Sequence, residues 1–359
     1  MTKVLNKSII IRQRKTGGEI LTGLCIGIDI GSSNMTAYVE GKGIVFSRPS
    51  VIACDAHNGK ILALGEAAFA MTGRTPGSIE VIRPFRDGVV SDMSKTVAML
   101  SDFVDKVCRL TVLKPNIIAG VPSDITSLEK KAILDVLEMS GAGKVCIMEH
   151  SYAAAVGADV VFTKPYGTMI IDIGGGTVDI AVVTMGSIAV SKTIRFASEA
   201  FTQDIIRYLR RERDIEVGYL TAENIKKTIG GAVIRNEEIA LISKGRNAVT
   251  GTPINFEITS TEVYWAIKEH VDLILTGVKE VFASLSPELS ADVYESGIVL
   301  TGKGSLLYGT DAFLESATGV PVRRAKDPWL CVAKGLGKSL HNIKKLKKNG
   351  YEFRYRDEF

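Results

Sequence analysis

The chain has 359 residues, of which 46% are hydrophobic and 23% charged, and its formal net charge is +4. This length suits two domains, and the composition is that of a globular protein rather than a disordered one. No apolar run reaches the roughly 18 residues that a membrane-spanning helix needs. A net charge this small gives no argument for nucleic acid as a partner.

The cysteines and the first residues both indicate a cytoplasmic protein. The cysteines are odd in number and are scattered without metal-binding spacing, so we expect ordinary reduced thiols. The first residues lack the small-residue cleavage site of a secretory signal, which argues against export. The cysteines are Cys25, Cys54, Cys108, Cys146 and Cys331.

Both ends of the chain are basic. Residues 1–15 carry five basic side chains and no acidic one, and residues 341–359 carry six basic side chains against three acidic ones. This pattern favours an anionic surface, most simply the inner face of a membrane, and residues 1–15 are candidates for a weak amphipathic anchor. Two solvated chain ends remain the alternative interpretation.

The first half alternates strands with amphipathic helices, which indicates α/β architecture. Residues 24–51 predict three strands joined by glycine turns, and residues 117–122 predict a buried strand. Apolar spacing of three and four residues predicts helices over 95–107 and 127–140. Ser123 and Asp124 are candidates for the N-cap of the second of these helices.

The second half repeats this plan. It contains a hairpin at 169–185, a helix from about Glu199 to Arg213, a helix-rich insert and a strand at 297–301. We therefore expect two related domains with a cleft between them. The predicted boundaries are a basic extension at 1–23, a first domain at 24–158 to which 322–345 returns, a second domain at 159–321 and a basic tail at 346–359.

A short phrase occurs once in each half. Residues 27–33 read GIDIGSS and residues 170–179 read IIDIGGGTVD, so each copy is an apolar strand, an aspartate and a glycine-rich turn. Asp29 and Asp172 end apolar strands, where an unpartnered carboxylate is costly and a hard cation such as Mg²⁺ would stabilise it. The turns leave backbone N–H groups free for phosphate oxygens. The predicted phosphate-binding residues are Gly31, Ser32, Ser33, Asn34, Gly174, Gly175, Gly176 and Thr177.

A third glycine turn follows the strand at 297–301. Residues 297–303 match the front of a P-loop, but Gly304 stands where Ser or Thr would bind magnesium, and Gly297 begins a strand. We therefore predict that the turn formed by Gly302, Lys303 and Gly304 packs against an adenosine instead.

A helix is predicted to begin near Thr221, which we take as its N-cap. Glu223 and Lys226 then share one face, with Lys227 beside them. These side chains could bind a ribose hydroxyl and an adenine edge, or they could form a solvated, ion-paired helix face; spacing alone leaves both interpretations open.

With these segments in hand, the chain resembles the MreB group of bacterial actins, within the actin/DnaK/sugar-kinase ATPase superfamily. The resemblance runs from about residue 23 to residue 340. It rests on phrases more specific than those of the superfamily, namely GKGIV at 41–45, GRTPG at 73–77, RP at 83–84, DGV at 87–89, GVPS at 120–123, AAA at 153–155 and PEL at 287–289.

The resemblance implies an α/β, actin-like (ribonuclease H-like) fold with two related domains flanking a nucleotide cleft. It further implies ATP and Mg²⁺ as cofactors, head-to-tail homopolymer filaments on the inner face of the cell membrane, and membrane proteins of cell-wall synthesis as partners. By the same resemblance, Asp29 and Asp172 position metal and water, and Thr177 lies near the terminal phosphate. Glu223 and Lys226 would contact ribose and adenine, and Val112 and Leu113 would dip into the bilayer.

The chain departs from the family at a position expected to be catalytic. The family usually reads Glu-Glu-Pro before the alanine triplet, whereas this chain reads Glu149-His150-Ser151. The second glutamate would orient the attacking water, and a neutral imidazole lacks its charge and its second oxygen. Our hypothesis is that ATP is bound but hydrolysed slowly. Lys303 in place of a glycine, and Ala197-Ser198-Glu199 where Gly-Gly-Asp is common, also suggest a retuned site.

Three alternatives remain. The chain could be a non-hydrolysing regulatory paralogue that copolymerises with a more typical sister filament, which His150 favours. It could be a soluble kinase of the same superfamily, although no segment beyond the shared core supplies a carboxylate base facing a substrate. It could be a DnaK-type chaperone, but the sequence after about residue 340 is too short for a peptide-binding domain.

Overall fold

The computed structural model describes residues 24–108, 113–161, 163–348 and 354–355. The strands are β1 (Cys25–Ile30), β2 (Asn34–Val39), β3 (Gly43–Pro49), β4 (Ile52–Asp55), β5 (Ile61–Leu64), β6 (Ile79–Ile82), β7 (Phe85–Arg86), β8 (Val89–Val90), β9 (Asn116–Val121), β10 (Val145–Glu149), β11 (Thr168–Ile173), β12 (Val178–Thr184), β13 (Ser187–Ile194), β14 (Ile215–Glu216), β15 (Ala240–Asn247), β16 (Pro253–Thr259), β17 (Ile298–Thr301), β18 (Val322–Arg324) and β19 (Arg354–Tyr355). The α-helices are α1 (Glu66–Ala70), α2 (Met93–Cys108), α3 (Ser127–Met139), α4 (His150–Gly157), α5 (Ser198–Arg213), α6 (Tyr219–Ile229), α7 (Ser260–Ala283), α8 (Pro287–Ser296), α9 (Thr310–Thr318) and α10 (Cys331–Lys348), and 3₁₀ turns lie at Lys303–Leu306 and Pro328–Leu330.

Two sheets share one plan. The first has the strand order β19-β10-β9-β1-β2-β3, and the second has the order β13-β12-β11-β17-β18. In each, an antiparallel meander of three strands is extended by parallel strands beside its first strand, β9 beside β1 and β17 beside β11. The repeated sequence phrase therefore occupies the same place in both sheets, and the predicted α/β architecture is confirmed.

Helices α4 and α10 lie between the two sheets. Their apolar side chains join one buried cluster with residues of β1, β9 and β10 on one side and of β11, β12 and β17 on the other. The two helices approach so closely that a Cβ at Gly335 would collide with the carbonyl oxygen of Ala153, and a Cβ at Gly157 with that of Cys331. Glycine at these positions thus lets the central helices hold the sheets together.

Smaller elements are inserted into each half. Strands β4, β5 and β6 form a separate sheet with α1 beside it, and β14, β15 and β16 form another with α6 nearby. The insert in the second half was predicted to be rich in helix, but it also contains the long hairpin of β15 and β16. Its strands alternate exposed and less exposed side chains and face water on one side, a weak signal in a single sequence.

The main helices lie where the sequence predicts them, but two predicted caps are wrong. Helix α3 is capped by Thr126 in a capping box with Glu129, because Ser123 bonds elsewhere. Helix α6 begins at Tyr219 after an extended Gly218, which places Thr221 inside the first turn.

Several sequence predictions lie outside the described residues. Residues 1–23, Val112 of the apolar loop and most of the tail at 346–359 belong to this group. Leu113, the next residue of that loop, is described, and 52% of it is exposed. Among the helices of the described residues, none is both long enough and apolar enough to cross a bilayer.

Candidate nucleotide-binding cleft

A cleft of about 550 Å³ opens between the two halves, a volume typical of small-molecule sites. All of the predicted site residues line it, so the fold brings together positions that are far apart in sequence. They are Asp29, Gly31, Ser32, Ser33, Asn34, His150, Asp172, Gly174, Gly175, Gly176, Thr177, Glu223, Lys226, Lys227, Gly302, Lys303 and Gly304.

The two glycine turns have matching geometry and touch each other. Gly31 N donates to Asn34 O at 3.1 Å, and Gly174 N donates to Thr177 O at 2.9 Å. A Cβ on Gly175 would collide with the Ser33 side chain. Only residues without side chains allow this approach, so the turns offer backbone N–H groups to one shared space.

The two repeated aspartates stand at equivalent sheet positions. Asp29 pairs with Gly120 of the parallel neighbour strand, and Asp172 pairs with Thr301 of its own. The hydroxyl of Thr301 donates to Asp172 Oδ1 at 2.7 Å. Burial raises the pKa of Asp172 to about 7 and also raises the pKa of Asp29, because both carboxylates lose water.

His150 is the first residue of α4 and lies between carboxylates. Its Nε2 is 3.5 Å from Asp29 Oδ1, and its Nδ1 is 3.3 Å from Asp179 Oδ2. Asp179 is fully buried and also accepts from the hydroxyl of Thr193 at 2.5 Å and from the amide of Ser123 at 3.2 Å. The imidazole therefore bridges a buried carboxylate of the second sheet and the aspartate of the first.

These neighbours change the protonation state that the sequence suggested. Burial alone would lower the pKa of His150, but the hydrogen bond to Asp179 and the charges of Asp29 and Asp172 outweigh it and raise the pKa to about 9. This shift favours the imidazolium, the form that carries a proton on each nitrogen. The contacts of His150 therefore favour the charged form over the neutral imidazole considered from sequence.

The other end of the cleft is lined by α6 and the third glycine turn. Glu223 forms ion pairs with Lys226 at 2.7 Å and Lys227 at 2.9 Å. Lys226 is buried, and its ammonium also donates to Ser198 O and to Thr202 Oγ1. The predicted ion pairing is present, and the three residues also line the cleft, while 54% of the Lys227 side chain is exposed. Contact with a ribose or an adenine stays a prediction.

The third glycine turn lies against the end of β11. A Cβ on Gly302 would collide with the backbone of Ile173, and a Cβ on Gly304 with its side chain. Gly297 ends α8, and the strand of Ile298–Thr301 separates it from the turn, so the segment lacks P-loop geometry, as predicted. Burial and the nearby Lys227 lower the pKa of Lys303.

Sequence reasoning missed several polar residues of the cleft. Asp179 received no role, although a carboxylate between apolar residues of a buried strand is a signal of a paired or functional charge. Arg83 and Tyr219 also line the cleft, as does Glu199, which the sequence singled out only as a departure from the family. Nothing in their local sequence places them together, because they come from three separate segments.

The residues present fit a magnesium nucleotide. Among the described residues no group of three or more His, Cys, Asp or Glu is arranged to hold a metal ion. Two carboxylates, Asp29 and Asp172, nevertheless face the cleft beside glycine turns with free backbone donors. Mg²⁺ is commonly held by one or two carboxylates together with water and substrate phosphates, which matches this donor set.

Two sheets of one plan around such a cleft define an actin-like protein. A family model described as MreB/Mbl protein matches residues 24–348. The chain belongs to the MreB/Mbl family.

Individual relatives agree with this assignment. The cell shape-determining protein Mbl of Bacillus cereus is 44% identical over 326 residues, which cover 90% of this chain and 97% of the relative. The crystal structure of MreB5 of Spiroplasma citri bound to ADP is 35% identical, with a TM-score of 0.87 over 92% of this chain and 99% of that one. A MamK double helical filament, 21% identical with a TM-score of 0.77 over 89% and 98% of the two chains, supports the fold alone.

The protonation of His150 can be measured by NMR on the nucleotide-free, magnesium-free protein. We expect one of the four imidazoles to stay protonated through pH 8 and to titrate near pH 9, and its signal to vanish in His150→Gln. A pKa above the unfolded value near 6.5 stabilises the folded protein fully below about pH 6.5. This contribution is lost as the pH rises through 9, so His150→Gln should cost more stability at pH 6 than at pH 9.5.

Titration of this imidazole below pH 7, or an equal loss of stability at both pH values, would contradict the assignment.

Proposed function

We propose that this chain is a cell shape-determining, filament-forming actin that binds ATP and Mg²⁺ in the cleft and lies on the inner face of the cell membrane. The observation that carries the proposal is the contact between two matching glycine turns, each with an aspartate at its base, inside a cleft of nucleotide size. The MreB5 relative bound to ADP supports nucleotide binding, and the cell shape-determining relatives support a role in cell shape.

In this proposal the two turns bind phosphate oxygens through backbone N–H groups and the hydroxyl of Ser32. The hydroxyls of Ser33 and Thr177 donate to Glu199 and Asp179 instead. Asp29 and Asp172 hold the metal ion, which when bound neutralises phosphate charge. Glu223 and the turn at Gly302 and Gly304 face the adenosine. Lys226 acts by fixing Glu223, because its own ammonium is already bonded to α5.

Hydrolysis by this chain is proposed to be slow for two reasons. An imidazolium at position 150 cannot accept a proton from an attacking water, since both of its nitrogens already carry protons. Its charge also lies 3.5 Å from Asp29, where it competes with a metal ion for the same carboxylate. Slow turnover would prolong the ATP-bound state of a filament.

A second candidate function follows from the same histidine. A chain that binds ATP without hydrolysing it would act as a stable regulatory subunit in filaments of a sister protein. Measurement of filament formation by this chain alone separates this candidate from the first.

Two features support membrane attachment in this proposal, the positive charge of residues 1–15 and the exposed apolar side chain of Leu113. The basic residues at 1–15 would be attracted to anionic lipid, and the exposed Leu113 would add apolar contact. Membrane proteins of cell-wall synthesis would then meet the filament at the membrane.

High-speed sedimentation tests the filament and membrane proposals together. The full chain should pellet with Mg-ATP and remain in the supernatant without nucleotide. Vesicles of anionic phospholipid should recover more of the full chain than of a variant lacking residues 1–15, whereas zwitterionic vesicles should show no such difference. Protein that stays in the supernatant under every condition would contradict the filament proposal, and equal recovery of both chains would contradict the anchor.

Phosphate release tests the role of His150. We expect His150→Glu, which restores a carboxylate that can accept a proton, to release phosphate from Mg-ATP about 10²-fold faster than the wild type. His57→Glu is the matched control, because His57 is an exposed turn residue that does not line the cleft. Thermal unfolding of each variant verifies its fold.

Wild-type release that already equals that of His150→Glu, and that persists unchanged in His150→Ala, would contradict slow hydrolysis.

A further inference from the structure

Four side chains in the lining of the cleft connect the two halves. We call this group, formed by Arg83, Glu199, Ser33 and Tyr219, the clasp. Arg83 Nε is 3.3 Å from Glu199 Oε2, and Arg83 Nη2 donates to the hydroxyl of Tyr219 at 3.1 Å. Ser33 Oγ donates to Glu199 Oε1. Arg83 and Ser33 belong to the first half, and Glu199 and Tyr219 to the second.

The guanidinium of Arg83 is held on several sides. Its Nη1 donates to the carbonyl oxygen of Ser32 at 3.2 Å, and its Cζ lies 5.3 Å from the centre of the Tyr219 ring. Only 15% of the Arg83 side chain and 24% of the Glu199 side chain are exposed. An ion pair with this shielding and several partners is stronger than a solvated pair on the surface.

Glu199 connects the clasp to both glycine turns. Its carboxylate accepts from Ser33 of the first turn, and its backbone amide donates to Gly175 O of the second turn at 2.9 Å. Glu199 lies in the first turn of α5, so both glycine turns are hydrogen-bonded to the start of this helix. One residue therefore contacts both turns proposed to hold phosphate.

Three of the clasp residues also line a second cavity. An outer cavity of about 300 Å³ includes Val81, Arg86, Asp87 and Gln203 in its lining, which the nucleotide cleft does not. The two cavities share Ser32, Arg83, Glu199 and Tyr219 as lining residues. Arg83, Glu199 and Tyr219 of the clasp therefore lie where the two cavities adjoin.

We infer that Arg83 and Glu199 are positioning residues that hold the two halves closed over a bound nucleotide and set the rate at which it leaves. This inference rests on the proposed nucleotide binding. Neither residue acts on the reacting atoms; each acts through the distance between the two glycine turns.

Stopped-flow release of a fluorescent ADP analogue from the full chain with Mg²⁺ tests the inference. We expect Glu199→Gln and Arg83→Ala each to release the analogue about tenfold faster than the wild type. In both variants fewer contacts between the halves must break for the cleft to open. Glu199→Gln keeps an acceptor for Ser33 and removes only the charge that Arg83 pairs with. Thermal unfolding midpoints verify that both variants fold.

Arg195→Ala is the matched control. Arg195 forms a second ion pair between the halves, with Glu129 at 3.2 Å, but it lines neither cavity and 40% of its side chain is exposed. We expect it to change the release rate less than about twofold. A control effect equal to that of Glu199→Gln would overturn the specific role of the clasp.

Hydrogen–deuterium exchange of the nucleotide-free chain gives a readout that does not depend on nucleotide. Exchange at the start of α5 should be faster in Glu199→Gln and Arg83→Ala than in the wild type, and unchanged in Arg195→Ala. Unchanged exchange together with unchanged release would overturn the clasp while leaving nucleotide binding intact. Absence of analogue binding to the wild type would instead overturn the proposed function. The hydrogen–deuterium exchange rates at the start of α5 would still decide whether the clasp joins the halves.

Discussion

The contact between the two glycine turns is the constraint on which the cleft depends. Each turn ends the first strand of a repeated meander, and α4 and α10 fix the two sheets so that the turns meet. A side chain at Gly175 would separate them, as would one at Gly176, whose Cβ would lie 2.5 Å from Ser32 Oγ. The central helices also meet through two glycines, Gly335 and Gly157. Both the close packing at the centre and the open phosphate cradle therefore depend on the absence of side chains at glycine positions.

Charge balance is the second property of this cleft. Asp29, Asp172 and Asp179 bring three carboxylates into a poorly hydrated region, and within the described residues His150 is the cation placed among them. The imidazolium offsets the cost of their burial in the absence of a metal ion. We therefore expect the substitution that slows hydrolysis also to stabilise the cleft, a trade between stability and activity.

The repeated strands and the glycine turns could be predicted from the sequence, because each depends on a local pattern with a physical cause. His150 was singled out only through the resemblance to the family, and spacing alone left the role of Glu223 and Lys226 open. The sequence did not predict the environment of His150, which arises when β1 and β12 approach from different halves. The clasp was missed for the same reason, since an arginine at 83 and a glutamate at 199 have no local signal for pairing. The predicted cap residues of α3 and α6 were wrong because several polar or small residues near each helix start can serve as the cap.

Calorimetric binding of a non-hydrolysable ATP analogue with Mg²⁺ tests the central claim, that the touching glycine turns form a nucleotide site. We predict saturable binding to the wild type at one site and loss of at least tenfold in affinity for Gly175→Val, whose side chain would force the turns apart. Gly77→Val is the control, because no atom lies within 4 Å of a Cβ there. Absence of binding to the folded wild type, or equal affinity in Gly175→Val, would contradict the account.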